Sequence, residues 1–299
     1  MAAQSIPIIN KSEDISPKVS EFRRIVRVFI SRRLAFYGFI YLLLLIFTAV
    51  FAPWVSPNDP YEQDLKNIRA APSLDHPLGT DTLGRDLLSR IIFGSRTSIL
   101  VGVVAVGSAA VIGMTLGVIA GYFGGFMRTI IMRTMDALMA IPGILLALTI
   151  AALLGRGLPN AILAIGISMI PPFTRLMCGQ TLAIKERDYV SFMKVIGANP
   201  RQIILKHIIP NCLPHVIVLM TMMVGGAIMA VAGLSFLGIG IVPPTAAWGG
   251  MISEGYTWLL VSPMLSIAPG IAIMITVFSF NMVGDGLRDS LDPRLRGAI

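Results

Sequence analysis

Between Lys206 and Glu254 the chain carries no Asp, Glu, Lys or Arg. A run of that length is hard to place in water. It is also too long for one membrane helix, which needs roughly 20 apolar residues to cross about 30 Å of hydrocarbon. The run therefore predicts a span over about 214–237. An apolar loop over 238–250, with Pro243-Pro244, then dips toward the membrane. The rest of the chain agrees. It is 55% apolar and 13% charged, with mean hydropathy +0.78, whereas soluble domains average about 25% charged residues. An integral membrane protein is implied.

The expected fold is all-α, with six spans. The other five fall at about 34–51, 98–122, 134–154, 159–176 and 263–283. Pro53 ends the first, Pro142 kinks the third, and Pro171-Pro172 predict a bend or break in the fourth. The segment 1–33 holds a basic amphipathic stretch over 21–33 that suits a membrane surface. Span 1 occupies 34–53, an extramembrane segment 54–95, and a core 96–284. A polar loop over 183–212 interrupts the core, and a charged tail covers 285–299. Gly113, Gly117 and Gly121 form a helix-packing stripe, since glycines four apart let another backbone approach closely.

The net charge of +8 does not point to nucleic acid, because the basic residues are dispersed at span ends. Of the 24 Lys and Arg, eighteen fall on the side of the two termini and of 183–212, and six on the other. By the positive-inside rule both termini are cytoplasmic and 54–95 is outside. The first 33 residues lack a signal-peptide pattern. Cys178 and Cys212 are too few for a disulfide framework.

The loop over 183–212 has the layout of a lever. Tyr189, Phe192, Met193 and Ile196 share one helical face by their i, i+3, i+4, i+7 spacing. Gly197 can take the positive φ that ends a helix. Asn199 can cap the next one, with Pro200 at its first position. An apolar face in this place either packs under its own bundle or seats in a partner's groove.

The remaining polar groups give little chemistry. His76, His207 and His215 are scattered, so no metal site is expected. No Ser-His-Asp arrangement and no G-x-x-x-x-G-K-[ST] motif occurs, which argues against a hydrolase or an ATP site. Arg133 and Asp136 are spaced as a local pair. Asp81, Arg85 and Asp86 are either structural ion pairs or contacts for a partner. Arg90 and Arg96 are placed to snorkel to the interface. Glu254 and Trp258 fall on an outer loop.

Longer motifs carry a resemblance. Gly197-Ala198, Ile204 and Pro210-Asn211 resemble the tail of the coupling loop of ABC importer permeases. His76-Pro-Leu-Gly-Thr-Asp-Thr-Leu-Gly-Arg-Asp-Leu-Leu-Ser-Arg90 and Gly94-Ser-Arg-Thr-Ser98 are similar to the dipeptide/oligopeptide/nickel permease family. So are Leu234-Ser-Phe-Leu-Gly-Ile-Gly240, Trp248-Gly249 and Gly284-Asp-Gly-Leu-Arg-Asp-Ser-Leu-Asp-Pro-Arg294. Six spans and the long segment before span 2 resemble the second permease of the pair.

That resemblance implies a type I importer fold in a bacterial or archaeal plasma membrane. It also implies a second permease subunit, two cytoplasmic ATPases, an extracytoplasmic substrate-binding protein and surrounding lipid. The chain itself would be no enzyme and would need no cofactor. The substrates implied are di- or oligopeptides, with nickel or another small solute as the alternative. An ion-coupled transporter would need ionisable groups at midmembrane. The ATPase-coupling residues implied are Tyr189, Phe192, Met193, Lys194, Ile196, Gly197, Ala198 and Arg201. Ser191-Phe192-Met193 stands where the family has Glu-Ala-Ala, so the coupling face is bulkier and lacks a carboxylate.

Overall fold

The computed structural model describes residues 21–291. Among them it is helical, with one isolated bridge between Thr80 and Asp86. Helix α1 (Glu21–Ser31) leads into α2 (Arg33–Val50), the first span. Pro53 sits in the first turn of the short α3 (Ala52–Val55), where its missing N–H costs nothing. Residues 56–86 form turns and bends before α4 (Leu87–Phe123). Asp86 caps α4 by accepting from the Ser89 amide at 2.8 Å.

Span 3 differs from the kinked helix expected over 134–154. Helix α5 (Gly125–Met139) and α6 (Gly143–Leu154) meet at 90° across residues 140–142. Pro142 cannot donate to the preceding turn and so separates two helices. Among the described residues there are thus five helices long and apolar enough to cross a membrane, and a sixth span only if the bent pair is counted.

Helix α7 (Leu158–Lys185) corrects a second expectation, because it runs without a break through Pro171 and Pro172. Its packing explains this. A Cβ added at Gly113 of α4 would lie 2.5 Å from the Phe173 Cβ and 2.9 Å from the Ile170 carbonyl. Close support from a neighbour lets membrane helices keep prolines. The register repeats down the stripe. A Cβ at Gly117 would meet the Met177 Cβ and Thr174 oxygen at 2.6 Å, and one at Gly121 the Thr181 Cβ at 2.7 Å. The stripe thus faces α7 of the same chain.

After α7 come α8 (Asp188–Val195), α9 (Pro200–Ile203), a π-turn (Ile204–Ile208) and α10 (Ile209–Phe236). Turns lead to α11 (Trp248–Tyr256), so the expected apolar loop is partly helical. The last span, α12 (Met264–Leu291), takes in the first residues of the charged segment. Residues 1–20 and 292–299, which hold the rest of both terminal segments, lie outside the described residues. Packing among α4, α7, α10 and α12 buries Val101, Phe173, Ile228 and Ile273.

Candidate functional site

The lever lies at the end of the bundle where α4 finishes. Lys185, in the last turn of α7, donates from Nζ to the Tyr122 carbonyl at 2.7 Å. Helix α8 begins three residues later. It stops in a Schellman arrangement, with the Gly197 amide on the Lys194 carbonyl and the Ala198 amide on that of Met193, each at 3.0 Å. Gly197 has φ +80°, which glycine adopts without a Cβ penalty. The Asn199 side chain accepts from the Arg201 amide at 3.0 Å, and Pro200 opens α9.

The faces of α8 divide differently from the spacing argument. Val190 is fully buried, and Met193 and Ala198 pack against the core with it. Tyr189, Phe192 and Ile196 point outward, and Phe192 is 64% exposed. Val195, which the spacing argument passed over, is the most exposed apolar residue of the helix. Met193 therefore anchors α8 instead of joining its outer face. Lys194 and Arg201 are exposed beside the patch. The Tyr189 ring lies 6.0 Å from that of His207 in the π-turn.

The opposite end of the bundle holds a buried ion cluster that local spacing did not resolve. Asp81 accepts from the Leu83 and Arg85 amides, and from Arg85 Nε at 2.6 Å. Arg85 Nη2 donates to Glu254 of α11 at 3.0 Å. Arg90 is buried beside them and does not snorkel. Desolvation is tolerable there because two carboxylates face the guanidinium groups. Asp86 pairs with His76 at 2.9 Å, and the Arg69 guanidinium stacks over Trp258 at 3.8 Å. One signal could have flagged Glu254: it is the only Asp, Glu, Lys or Arg between Lys206 and Asp285.

Between the two ends runs a groove of about 610 Å³, walled by α6, α10, α11 and α12. Ile144, Phe236, Ile252 and Phe278 make it apolar, and Asn281 supplies the one polar side chain of its lining. Asp136 pairs with Arg175 of α7, not with Arg133. Among the described residues no three His, Cys, Asp or Glu side chains are grouped to hold a metal ion. Cys178 and Cys212 are buried and unbridged.

Residues 113–297 match the family described as binding-protein-dependent transport system inner membrane component. Residues 20–72 match the N-terminal transmembrane domain of oligopeptide transport permease C. A glutathione transport system permease protein of Escherichia coli O6:K15:H31 is 40% identical over 297 residues, 99% of this chain and 97% of that protein. Its counterpart in Shigella sonnei is also 40% identical, over 98% of this chain and 96% of that protein. An inward-facing structure of the MetNI methionine ABC transporter superposes with TM-score 0.54. It shares 19% identity and covers 68% of this chain and 97% of that one, a likeness of fold.

Proposed function

Since the chain belongs to the binding-protein-dependent transport inner-membrane components, the multi-pass permeases of ABC importers, we propose that it takes up small peptides of glutathione size as one half of a two-permease pathway. Permeases of this family work with separate ATPase subunits and a substrate-binding protein. In this reading the second permease is a different chain, and the two cytoplasmic ATPases seat on α8. Glutathione transport is the named role of relatives 40% identical to this chain over nearly its whole length, and this supports the peptide substrate over nickel.

The observation that carries the reading is the outer face of α8. Tyr189, Phe192, Val195 and Ile196 expose an apolar patch on a polar segment between two spans, where the rest of the bundle leaves it uncovered. Such patches mark protein contacts. The eighteen-to-six division of basic residues puts this end in the cytoplasm. The division into a segment 1–33, a first span, an extracytoplasmic segment 54–95 and a core 96–284 follows from the same orientation. The groove beside Asn281 is this chain's wall of the pathway. An apolar wall with one amide passes a peptide without holding it.

The test is the assembled complex with Phe192→Asp. Burying a Phe side chain is worth up to roughly 3 kcal/mol. Loss of the ATPase on co-purification, or ATP hydrolysis without uptake, is expected while the permease stays folded. Normal coupling would remove α8 from the ATPase contact. Uptake of labelled glutathione and a dipeptide, against nickel, decides the substrate class in the same vesicles.

A further inference from the structure

Helix α7 presents two unlike outer faces. Its exposed large apolar side chains are Leu163 and Ile167, which suit lipid. Ser168, Pro172, Arg175 and Gly179 follow at i, i+4, i+7 and i+11, a stripe centred about 130° around the helix from them. Each of the four is exposed or half-buried. A Cβ added at Gly179 would meet nothing within 4 Å. From this small, polar stripe Arg175 Nη2 donates to Asp136 Oδ1 of α5 at 2.5 Å. The two side chains are 45% and 41% exposed.

The pair lies at membrane depth. Helix α7 has 28 residues, so it is about 42 Å long against about 30 Å of hydrocarbon. Arg175 stands ten residues before Lys185, about 15 Å from the lever end, whereas hydrocarbon centred on the helix begins about 6 Å from that end. Charges at such depth face a water-filled space or another protein element, not lipid tails. Continuity with the groove favours the water-filled space. The Asp136 carbonyl accepts from the Ala140 amide at 3.0 Å, in the last turn before the bend at 140–142. Just past the bend, Ile144 joins the groove wall, and a Cβ at Gly233 would lie 3.6 Å from its Cδ1. On α7, Met169 beside Ser168 comes within 4.0 Å of a Cβ placed at Gly226, one turn before Met229 of the groove.

We propose that Arg175 and Asp136 bind the charged termini of the passing peptide, its carboxylate on Arg175 and its ammonium on Asp136. This rests on reading the chain as a peptide permease. The groove offers a solute one amide, and the pair supplies the charges at its border. A guanidinium can take a carboxylate through two parallel hydrogen bonds. When a zwitterion arrives, each protein charge exchanges one partner for another of the same sign, so none is left bare. When it leaves, the pair closes again. The site thus selects free termini without holding the peptide tightly.

The test uses the complete complex in proteoliposomes, with labelled dialanine and a titration of its binding protein. Arg175→Gln and Asp136→Asn should each cut the maximal uptake rate about tenfold or more, the loss of one charge-assisted hydrogen bond. The concentration of binding protein that gives half the maximal rate should not change. Arg175→Gln combined with Asp136→Asn leaves no lone charge. A merely structural pair predicts that this double variant recovers, whereas a peptide site predicts that it stays as slow as the single ones. Ser168→Cys, with Cys178→Ala and Cys212→Ala, should react with a water-soluble maleimide in the assembled complex. Recovery in the double variant, or a Ser168→Cys left unlabelled because lipid or the second permease covers it, would overturn the site. A parent that carries nickel and no dialanine sinks the peptide reading, and the site with it, before any variant is compared.

Discussion

Lys185 Nζ meets the Tyr122 carbonyl at 2.7 Å, so the last turn of α7 is tied to the last turn of α4 immediately before the lever starts. A lysine there also faces the negative end of the α4 dipole. With the glycine stripe above it, this contact makes α4 and α7 one body at the lever end. Lys185→Met should lower stability by about 1.5–3 kcal/mol, the range for a hydrogen bond that involves a charged group. Thermal unfolding of the purified complex measures that, and ATP hydrolysed per peptide should rise as α8 loosens. An unchanged ratio would separate the staple from coupling.

Gly117→Leu should prevent this chain from folding, not only from joining its partner, because the clash is with α7 of the same chain. Overpacking of this kind costs about 1–3 kcal/mol or more. Gly107 is the control: a Cβ there meets nothing within 4 Å, so Gly107→Ala should express normally and gain up to about 1 kcal/mol from helix propensity. Expression and melting temperature of the two variants decide the matter.

Gly197→Val tests the lever's exit. A Cβ at Gly197 has open space around it, so the only cost is the left-handed backbone, about 1–2 kcal/mol. Uptake should fall while the membrane core melts as before. Gly197→Asn, which tolerates that conformation, should retain most activity. Equal loss in both variants would mean that the glycine is needed for closeness to a partner and not for its φ.

Orientation is checked by single cysteines. Lys66 and Arg201 are both exposed and sit at opposite ends of the bundle. In intact cells Lys66→Cys should react with an impermeant reagent and Arg201→Cys should not. The reverse pattern would invert the topology.

Much of the lever is legible in the sequence because its punctuation is local. Gly197, Asn199 and Pro200 act on their own turns, and the structure shows the positive φ, the cap and the new helix there. Hydropathy likewise places the long spans. The failures are where the outcome depends on a distant neighbour. Pro142 breaks a helix and Pro171-Pro172 do not, and the difference is Gly113 of α4 lying against α7. Asp136 finds Arg175, 39 residues away, in place of Arg133 one turn away. Spacing also put Met193 on the outer face, because it could not see that Val190 and Met193 meet the bundle.

The π-turn at Ile204–Ile208 separates two angular demands on one continuous stretch of chain. Its i→i+5 bond, from the Ile209 amide to the Ile204 carbonyl, inserts one residue relative to an α-helix. That offsets everything before it from everything after it by roughly 100°. The compass bearing of α8 toward an ATPase and the bearing of α10 toward the groove are thereby set independently. A change in the length of this turn re-aims the lever while leaving the groove wall where it is.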